Sequence, residues 1–200
     1  MESLKQALRE ELTARRKAME PELVDQRGLK IQARLLATPY YQRANTLALY
    51  APLRGEVPTR DILVAALADG KTVCYPLSHA HGRVLSFRVV RSESELEPGR
   101  LGVREPASGQ ELPLERIELF VVPGLGFTAD GRRLGRGGGY YDATLEAAPA
   151  VSRRVGLAFR DQIVSELPTA PQDMAMDLVV TEVETLRGLF RSWESVPLRA

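Results

Sequence analysis

Thr46-Leu-Ala-Leu-Tyr50, Asp61-Ile-Leu-Val-Ala-Ala-Leu-Ala68 and Lys71-Thr-Val-Cys-Tyr-Pro76 follow one another in the chain, with the turn-rich segment Pro52-Leu-Arg-Gly-Glu-Val-Pro58 between the first and the second. The outer two are short, apolar and rich in β-branched or aromatic residues, which suits strands. The middle one is closed by Gly70 and reads as a helix. Strand, helix and strand in that order is the usual mark of a parallel pair. Working outward, Ile117 to Val122 is a third apolar strand ending in Pro123-Gly-Leu-Gly126, and a glycine-rich run leads from it to a helix from about Gly138 to Ala148. Val84 to Val90, Arg154 to Phe159 and Leu178 to Thr181 read as further strands, with a helix expected between the last two. The pattern predicts an α/β fold: a single three-layer domain over residues 1–200, with a mostly parallel central sheet and helices on both faces.

Towards the N-terminus, Ser3 and Gln6 have the capping-box spacing, and Leu4, Leu8 and Leu12 make an apolar stripe. A helix is therefore expected through about Met19. Pro21 restarts it, and Val24, Ile31 and Leu35 continue a helical spacing to Thr38-Pro39, where the proline and the restriction on its predecessor favour a stop. Two helices then precede any strand. Residues 77–115 are less regular, and Ser92 to Gly109 is rich in Pro, Gly, Ser and Glu, so surface loops with little chemistry are expected there.

With 200 residues, 44% hydrophobic and 26% charged, the chain can bury one sizeable core. Lysine and arginine total 27 against 26 acidic residues. No global field drives such a chain onto nucleic acid or an anionic membrane, so any anion site must be local. The one cysteine, Cys74, can form no intrachain disulfide, and a reducing compartment fits it. The opening Met1-Glu-Ser-Leu-Lys-Gln-Ala-Leu-Arg9 is too charged for a signal-peptide core, and no apolar run approaches a membrane span. A cytoplasmic protein is expected.

Gly131-Arg-Arg-Leu-Gly-Arg-Gly-Gly-Gly-Tyr-Tyr-Asp142 crowds four glycines into positions 135–139, with Arg132, Arg133 and Arg136 interleaved. Glycines let backbone N–H groups approach a phosphate without Cβ clashes, and a following helix N-terminus adds unpaired donors and partial positive charge. Arginine adds forked donors. Asp142 would oppose a phosphate if it faced one alone, yet it makes sense if it holds a magnesium ion bridging to the phosphates. The competing reading is a flexible surface turn whose aspartate complements the helix dipole. The run lacks the Gly-Lys-Ser/Thr ending of a Walker loop and the placement of a dinucleotide fingerprint. An arginine-glycine RNA-binding segment is a third reading, although such segments usually repeat within polar tails.

Val122-Pro-Gly-Leu-Gly-Phe-Thr128 followed by Arg133-Leu-Gly-Arg-Gly-Gly-Gly-Tyr-Tyr-Asp142 resembles the signature of the 5-formyltetrahydrofolate cyclo-ligases, also called methenyltetrahydrofolate synthetases. Shorter matches extend the likeness from Lys5 to about Thr181: Lys5-x-x-x-Arg9, Gly55-Glu-Val-Pro-Thr59, Ala158-Phe-Arg-Asp-Gln162 and Asp173-Met-Ala-Met-Asp177. Some members carry lysine where this chain has Gly138, so here that charge must come from the arginines or the N-terminal helix. The resemblance implies ATP-dependent cyclisation of 5-formyltetrahydrofolate to 5,10-methenyltetrahydrofolate, with release of ADP and phosphate. It implies magnesium as cofactor, ATP and 5-formyltetrahydrofolate as small-molecule partners, and a monomer bound to neither nucleic acid nor membrane.

The resemblance also assigns residues. It puts ATP against Lys5, Arg9, Arg133, Leu134, Gly135, Arg136, Gly137, Gly138, Gly139, Tyr140 and Tyr141, and the folate against Ala51, Glu56, Arg136, Gly137, Gly138, Gly139 and Tyr140. Catalytic roles fall to Arg136, Tyr140 and Asp142, and metal binding to Asp142 and Asp173. Read from the residues alone, Lys5 and Arg9 are a like-charge pair on one helical face, which hints at an outside anion or is simply a solvated basic face. Glu56 follows the first strand at the expected carboxyl end of the sheet, where open α/β sheets bind ligands. Asp177 reads as support for the strand after it, and His79 and His81 as surface residues of a turn. A sugar-phosphate isomerase on a similar frame is the competing enzyme class, and it would work without ATP.

Overall fold

The computed structural model describes residues 2–168, 170 and 173–188. In chain order its helices and strands are α1 (Glu2–Lys17), α2 (Pro21–Leu36), α3 (Pro39–Arg43), β1 (Thr46–Ala48), α4 (Arg60–Ala68), β2 (Thr72–Leu77), β3 (Ser86–Val89), β4 (Leu96–Pro98), β5 (Arg104–Pro106), β6 (Glu111–Leu112), β7 (Leu119–Val122), β8 (Gly126–Phe127), β9 (Arg133–Leu134), α5 (Tyr140–Ala147), β10 (Arg153–Leu157), β11 (Leu178–Val180) and β12 (Thr185–Arg187). Eight strands make one sheet in the order β12-β11-β10-β7-β1-β2-β3-β6. The inner run from β11 to β2 is parallel throughout, and antiparallel strands β12, β3 and β6 close the two edges. The expected α/β class with a mostly parallel central sheet is what the chain adopts.

Alternation along the inner strands explains the layers. Leu47, Leu49, Val73, Tyr75, Leu119, Val121, Val155 and Leu178 face α2, α3 and α4 in one core. Their neighbours Ala48, Cys74, Phe120, Val122 and Val179 face Leu145 of α5, together with Phe87 and Phe127. A parallel sheet is buried on both faces, so its strands read as continuous apolar runs while their side chains divide between two cores. Cys74 sits in the second core, and burial pushes its thiol well above the usual range.

Local expectations need correction in four places. α1 begins before Ser3, so that residue caps nothing. Three helices precede the first strand, because Thr38 accepts from the Tyr41 N–H at 3.2 Å and Pro39 fits the first turn of a new helix, so the signal that ends α2 also starts α3. The hairpin β8–β9 intervenes between the β7 strand and the glycines. Among the described residues between β10 and β11 there is no α-helix but a 3-10 turn at Arg160–Gln162, whose Gln162 side chain accepts from the Phe159 N–H and donates to the carbonyls of Gly124 and Leu125.

Phe127 of β8 is fully buried, and its ring lies against Gly156 of β10: a Cβ added at Gly156 would sit 2.5 Å from the ring. This contact seats the hairpin on the sheet. Gly156→Ala is expected to destabilise the fold by about 1–3 kcal/mol through overpacking, read as a lower urea midpoint at unchanged m-value.

Candidate functional site

Chain order runs outward from β1 through β2, β3 and β6, then returns to β7 on the other side of β1 and runs outward through β10, β11 and β12. The carboxyl ends of β1 and β7 therefore flank a topological switch point, the place where open α/β sheets leave a crevice. A cavity of about 680 Å³ lies there, reached by Tyr50 and Ala51 after β1, Ser78 after β2, and Pro123 and Gly124 after β7. Lys5, Arg9, Ala51, Glu56, the whole stretch from Arg133 to Asp142 and Asp173 line it as well. All the residues singled out from the sequence for ATP, folate or metal thus share one cavity. Arg132 does not line it; its guanidinium pairs with Asp130 at 3.0 Å.

α1 faces the cavity with an unexpected side. Leu4 is 66% exposed, whereas Lys5, Leu12 and Arg16 are buried. Positions 5, 9, 12 and 16 fall on one helical stripe. Leu12 packs with Leu125, Leu134 and Leu167, which pins the helix against the β8–β9 hairpin. Lys5 donates to Asp173 at 2.6 Å. Arg9 donates to the Gly135 carbonyl at 3.2 Å and to Glu2 at 2.7 Å, and Arg16 donates to Glu56 at 2.7 Å. The solvated-face reading of Lys5 and Arg9 does not hold, since Lys5 is only 6% exposed.

The glycine run is shaped by what crowds it. Gly137 (φ +98°) and Gly139 (φ +70°) hold left-handed backbone conformations that side chains disfavour. Arg9 lies 3.3 Å from where a Gly137 Cβ would be, and Arg83 lies 3.5 Å from the corresponding point at Gly139. Gly139 is the N-cap of α5 and offers no side-chain cap, so the first-turn N–H groups of α5 remain for a ligand or water. Arg133 is buried, donating to the Pro123 carbonyl at 3.2 Å and to Asp142 at 2.9 Å, while Arg136 is exposed at the cavity. Arg133 is sequestered and the run lines a cavity, which a loose surface turn would not do.

Two carboxylates close the same end. Asp142 accepts from Arg133 and from the Met174 N–H at 3.2 Å, both on Oδ1. Asp173 accepts from Lys5 and from the Ala170 N–H at 2.7 Å, both on Oδ2. Among the described residues no group of three or more His, Cys, Asp or Glu gathers. The donor set suits an ion such as magnesium, which takes one or two carboxylates and completes its shell with phosphates and water. Asp177 instead accepts from the Arg154 N–H at 2.8 Å and braces β10 against the start of β11. His79 is exposed and reaches Ser86 at 2.9 Å, in the turn expected of it.

Sequence reasoning missed the segment 77–115, to which it gave little chemistry. Ser78, Arg83, Arg100, Leu101, Val103 and Glu105 line the cavity. Glu105 is buried and accepts from the Ser78 hydroxyl at 2.6 Å and from its N–H at 3.2 Å, tying β5 to the end of β2. Leu101 (φ +59°) is the one non-glycine residue with positive φ among those described. No local pattern signals these roles, because loop composition alone does not tell which loops fold inward. Arg16, in the last turn of α1, gives no local sign that it is buried against Glu56.

A family model described as the 5-formyltetrahydrofolate cyclo-ligase family matches residues 1–182. The chain belongs to this family. The Escherichia coli K12 5-formyltetrahydrofolate cyclo-ligase is 33% identical over 172 residues, covering 84% of this chain and 94% of that protein. The mouse cyclo-ligase is 30% identical over 195 residues, covering 90% and 94%. The NMR structure of Aquifex aeolicus 5,10-methenyltetrahydrofolate synthetase superposes with a TM-score of 0.82 at 30% identity, over 98% of this chain and 97% of that one. The cyclo-ligase likeness thus spans the N-terminal helix, the sheet and the glycine run together.

Two outcomes follow from the site's electrostatics. Lys5→Met leaves Asp173 without its counter-charge, so although the substitution relieves repulsion with Arg9 within α1, unfolding free energy is expected to fall by about 1–3 kcal/mol. Urea denaturation measures the loss, and amide exchange along α1 should rise with it. Burial, with the nearby Glu56 charge next in order, pushes the hydroxyls of Tyr50 and Tyr141 well above the usual tyrosine range. A raised folded pKa means stability is full below the unfolded value of about 10 and declines above it, as the unfolded chain releases protons the folded one keeps. Urea midpoints should hold to about pH 9 and fall beyond pH 10, with tyrosinate absorbance lagging the unfolded control.

Proposed function

We propose that this protein is a 5-formyltetrahydrofolate cyclo-ligase that uses ATP and magnesium to close 5-formyltetrahydrofolate to 5,10-methenyltetrahydrofolate, releasing ADP and phosphate. One observation carries the reading: basic, glycine and acidic residues from five separated parts of the chain line a single cavity at the carboxyl edge of the parallel sheet. We take the chain to work as one domain and as a monomer, and we expect it in the cytoplasm. No helix among the described residues is long and apolar enough to cross a membrane.

The formyl group of the substrate is an amide, and its carbon is a poor electrophile. Ring closure must expel the formyl oxygen, which is a bad leaving group in water. When that oxygen attacks the γ-phosphorus of ATP, ADP departs and the oxygen becomes part of a phosphate ester. The carbon is then an iminium-like centre, N10 attacks it, the C–O bond breaks to release inorganic phosphate, and the N10 proton passes to solvent. The protein's share of this chemistry is positioning and charge stabilisation. In the proposed arrangement the N–H groups of the Gly137 to Tyr141 stretch, with Arg9 and Arg136, hold the phosphates. Arg133 holds the Asp142 carboxylate in place, and Glu56 pairs with the aminopyrimidine edge of the pterin. Tyr140 flanks the folate at the start of α5. Asp142 and Asp173 would hold magnesium, whose chemistry when bound is to neutralise charge on the phosphates.

The test is direct: incubate the protein with 5-formyltetrahydrofolate and follow the methenyl chromophore, omitting ATP and the divalent metal in turn. Product is expected only with both, and Asp142→Asn should require more magnesium and turn over at least about tenfold more slowly, on the scale of one lost charge-assisted contact. Product formed without nucleotide, or none under any condition, overturns the reading.

A further inference from the structure

Arg16 and Glu56 form the most enclosed ion pair at the cavity wall, with side chains 7% and 8% exposed and a separation of 2.7 Å. They come from the last turn of α1 and from the loop after β1, forty positions apart in sequence. One further contact joins these segments, and another holds Glu56 within its own loop. Gly55 takes φ +76°, and a Cβ there would come within 2.6 Å of the Arg16 carbonyl oxygen, so the loop turns tightly against the helix end. The Leu53 N–H donates to the second oxygen of Glu56 at 2.9 Å, while Arg16 donates to the first. A carboxylate offers about four acceptor positions over its two oxygens. Here one position on each oxygen is taken by the protein, and one on each is left.

We infer that Arg16 is a positioning residue for Glu56: it supplies the counter-charge that lets this carboxylate sit buried at the cavity, and it fixes the carboxylate plane so that both oxygens together accept from two neighbouring N–H donors of the folate. This rests on the reading of Glu56 as the folate-binding carboxylate. Arg16 does not line the cavity, so in this reading it acts through Glu56. It selects for a paired-donor edge, such as the amino group and ring N–H of an aminopyrimidinone, because a fixed plane leaves two acceptors side by side. A carboxylate without Arg16 would be held only by the Leu53 N–H on one oxygen and would lose its compensating charge on leaving water. The cost should fall on folate affinity and leave nucleotide affinity alone, since the contacts of Arg16 run to Glu56 and not to the glycine run.

The experiment measures kcat and separate KM values for 5-formyltetrahydrofolate and ATP in wild type, Arg16→Met, Arg16→Lys, Glu56→Gln and the Arg16→Met/Glu56→Gln double variant. Arg16→Met should raise the folate KM about tenfold or more, the scale of one charge-assisted hydrogen bond, with the ATP KM within about twofold of wild type. Arg16→Lys should fall between wild type and Arg16→Met. In the Glu56→Gln background, Arg16→Met should add little, because no carboxylate remains to be positioned. An equal rise in both KM values, a loss of kcat alone, or fully independent effects of the two substitutions would overturn the role of Arg16. A Glu56→Gln variant with an unchanged folate KM would instead overturn the Glu56 reading beneath it. Should Arg16→Met fail to fold, Arg16→Lys decides: a folate-only rise supports the role, and unchanged constants refute it.

Discussion

The buried basic stripe of α1 is the constraint on which the site depends. Lys5, Arg9 and Arg16 cannot leave water unless the chain brings oxygen atoms to meet them, because an unpaired buried cation costs several kcal/mol. Those oxygens come from Asp173, the Gly135 carbonyl and Glu56, which belong to three different loops. Leu12 on the same stripe adds the apolar contact that a set of ion pairs alone does not supply, since desolvation offsets much of their attraction. The seat of the helix therefore depends on all three loops.

What the stripe gathers, the sheet aims. Because β1 and β7 are neighbours in space but far apart in the chain, their carboxyl ends diverge into loops that run to opposite sides, and the crevice between them needs no special residue to exist. The β8–β9 hairpin, seated by Phe127 on Gly156, then turns the glycine run back over that crevice and delivers α5 with its uncapped N-terminus pointing the run's way. Arg133 and Asp142 lock the two ends of the run to each other across nine positions of sequence.

Much of this was legible beforehand. The parallel core was readable from the apolar runs at 46–50, 71–76 and 117–122, since strands buried on both faces must be apolar at nearly every position. The glycine run announced its chemistry through residue type alone. Reading failed where a local pattern carried two meanings. Leu4, Leu8 and Leu12 have the spacing of a core face, yet only Leu12 and, in part, Leu8 pack inward, and they share that side with the basic residues while Leu4 is exposed. Thr38-Pro39 does end α2, and the same pair also starts α3. The loops of 77–115 look like ordinary surface, and nothing in their composition distinguishes Arg83 or Glu105 from residues that face only water.

The sequence by itself determined the layered α/β architecture, the strand order's parallel centre and the kinds of group at the site, because hydrophobic periodicity and backbone permissiveness are local properties. Only the tertiary structure decided which charge meets which. Whether Arg132, Arg133 or Arg136 faces the cavity, why Lys5 is buried, and how Arg16 comes to hold Glu56 all depend on pairings such as 5 with 173 and 16 with 56. Electrostatic attraction acts through space once water is excluded, and separation along the chain carries no trace of it.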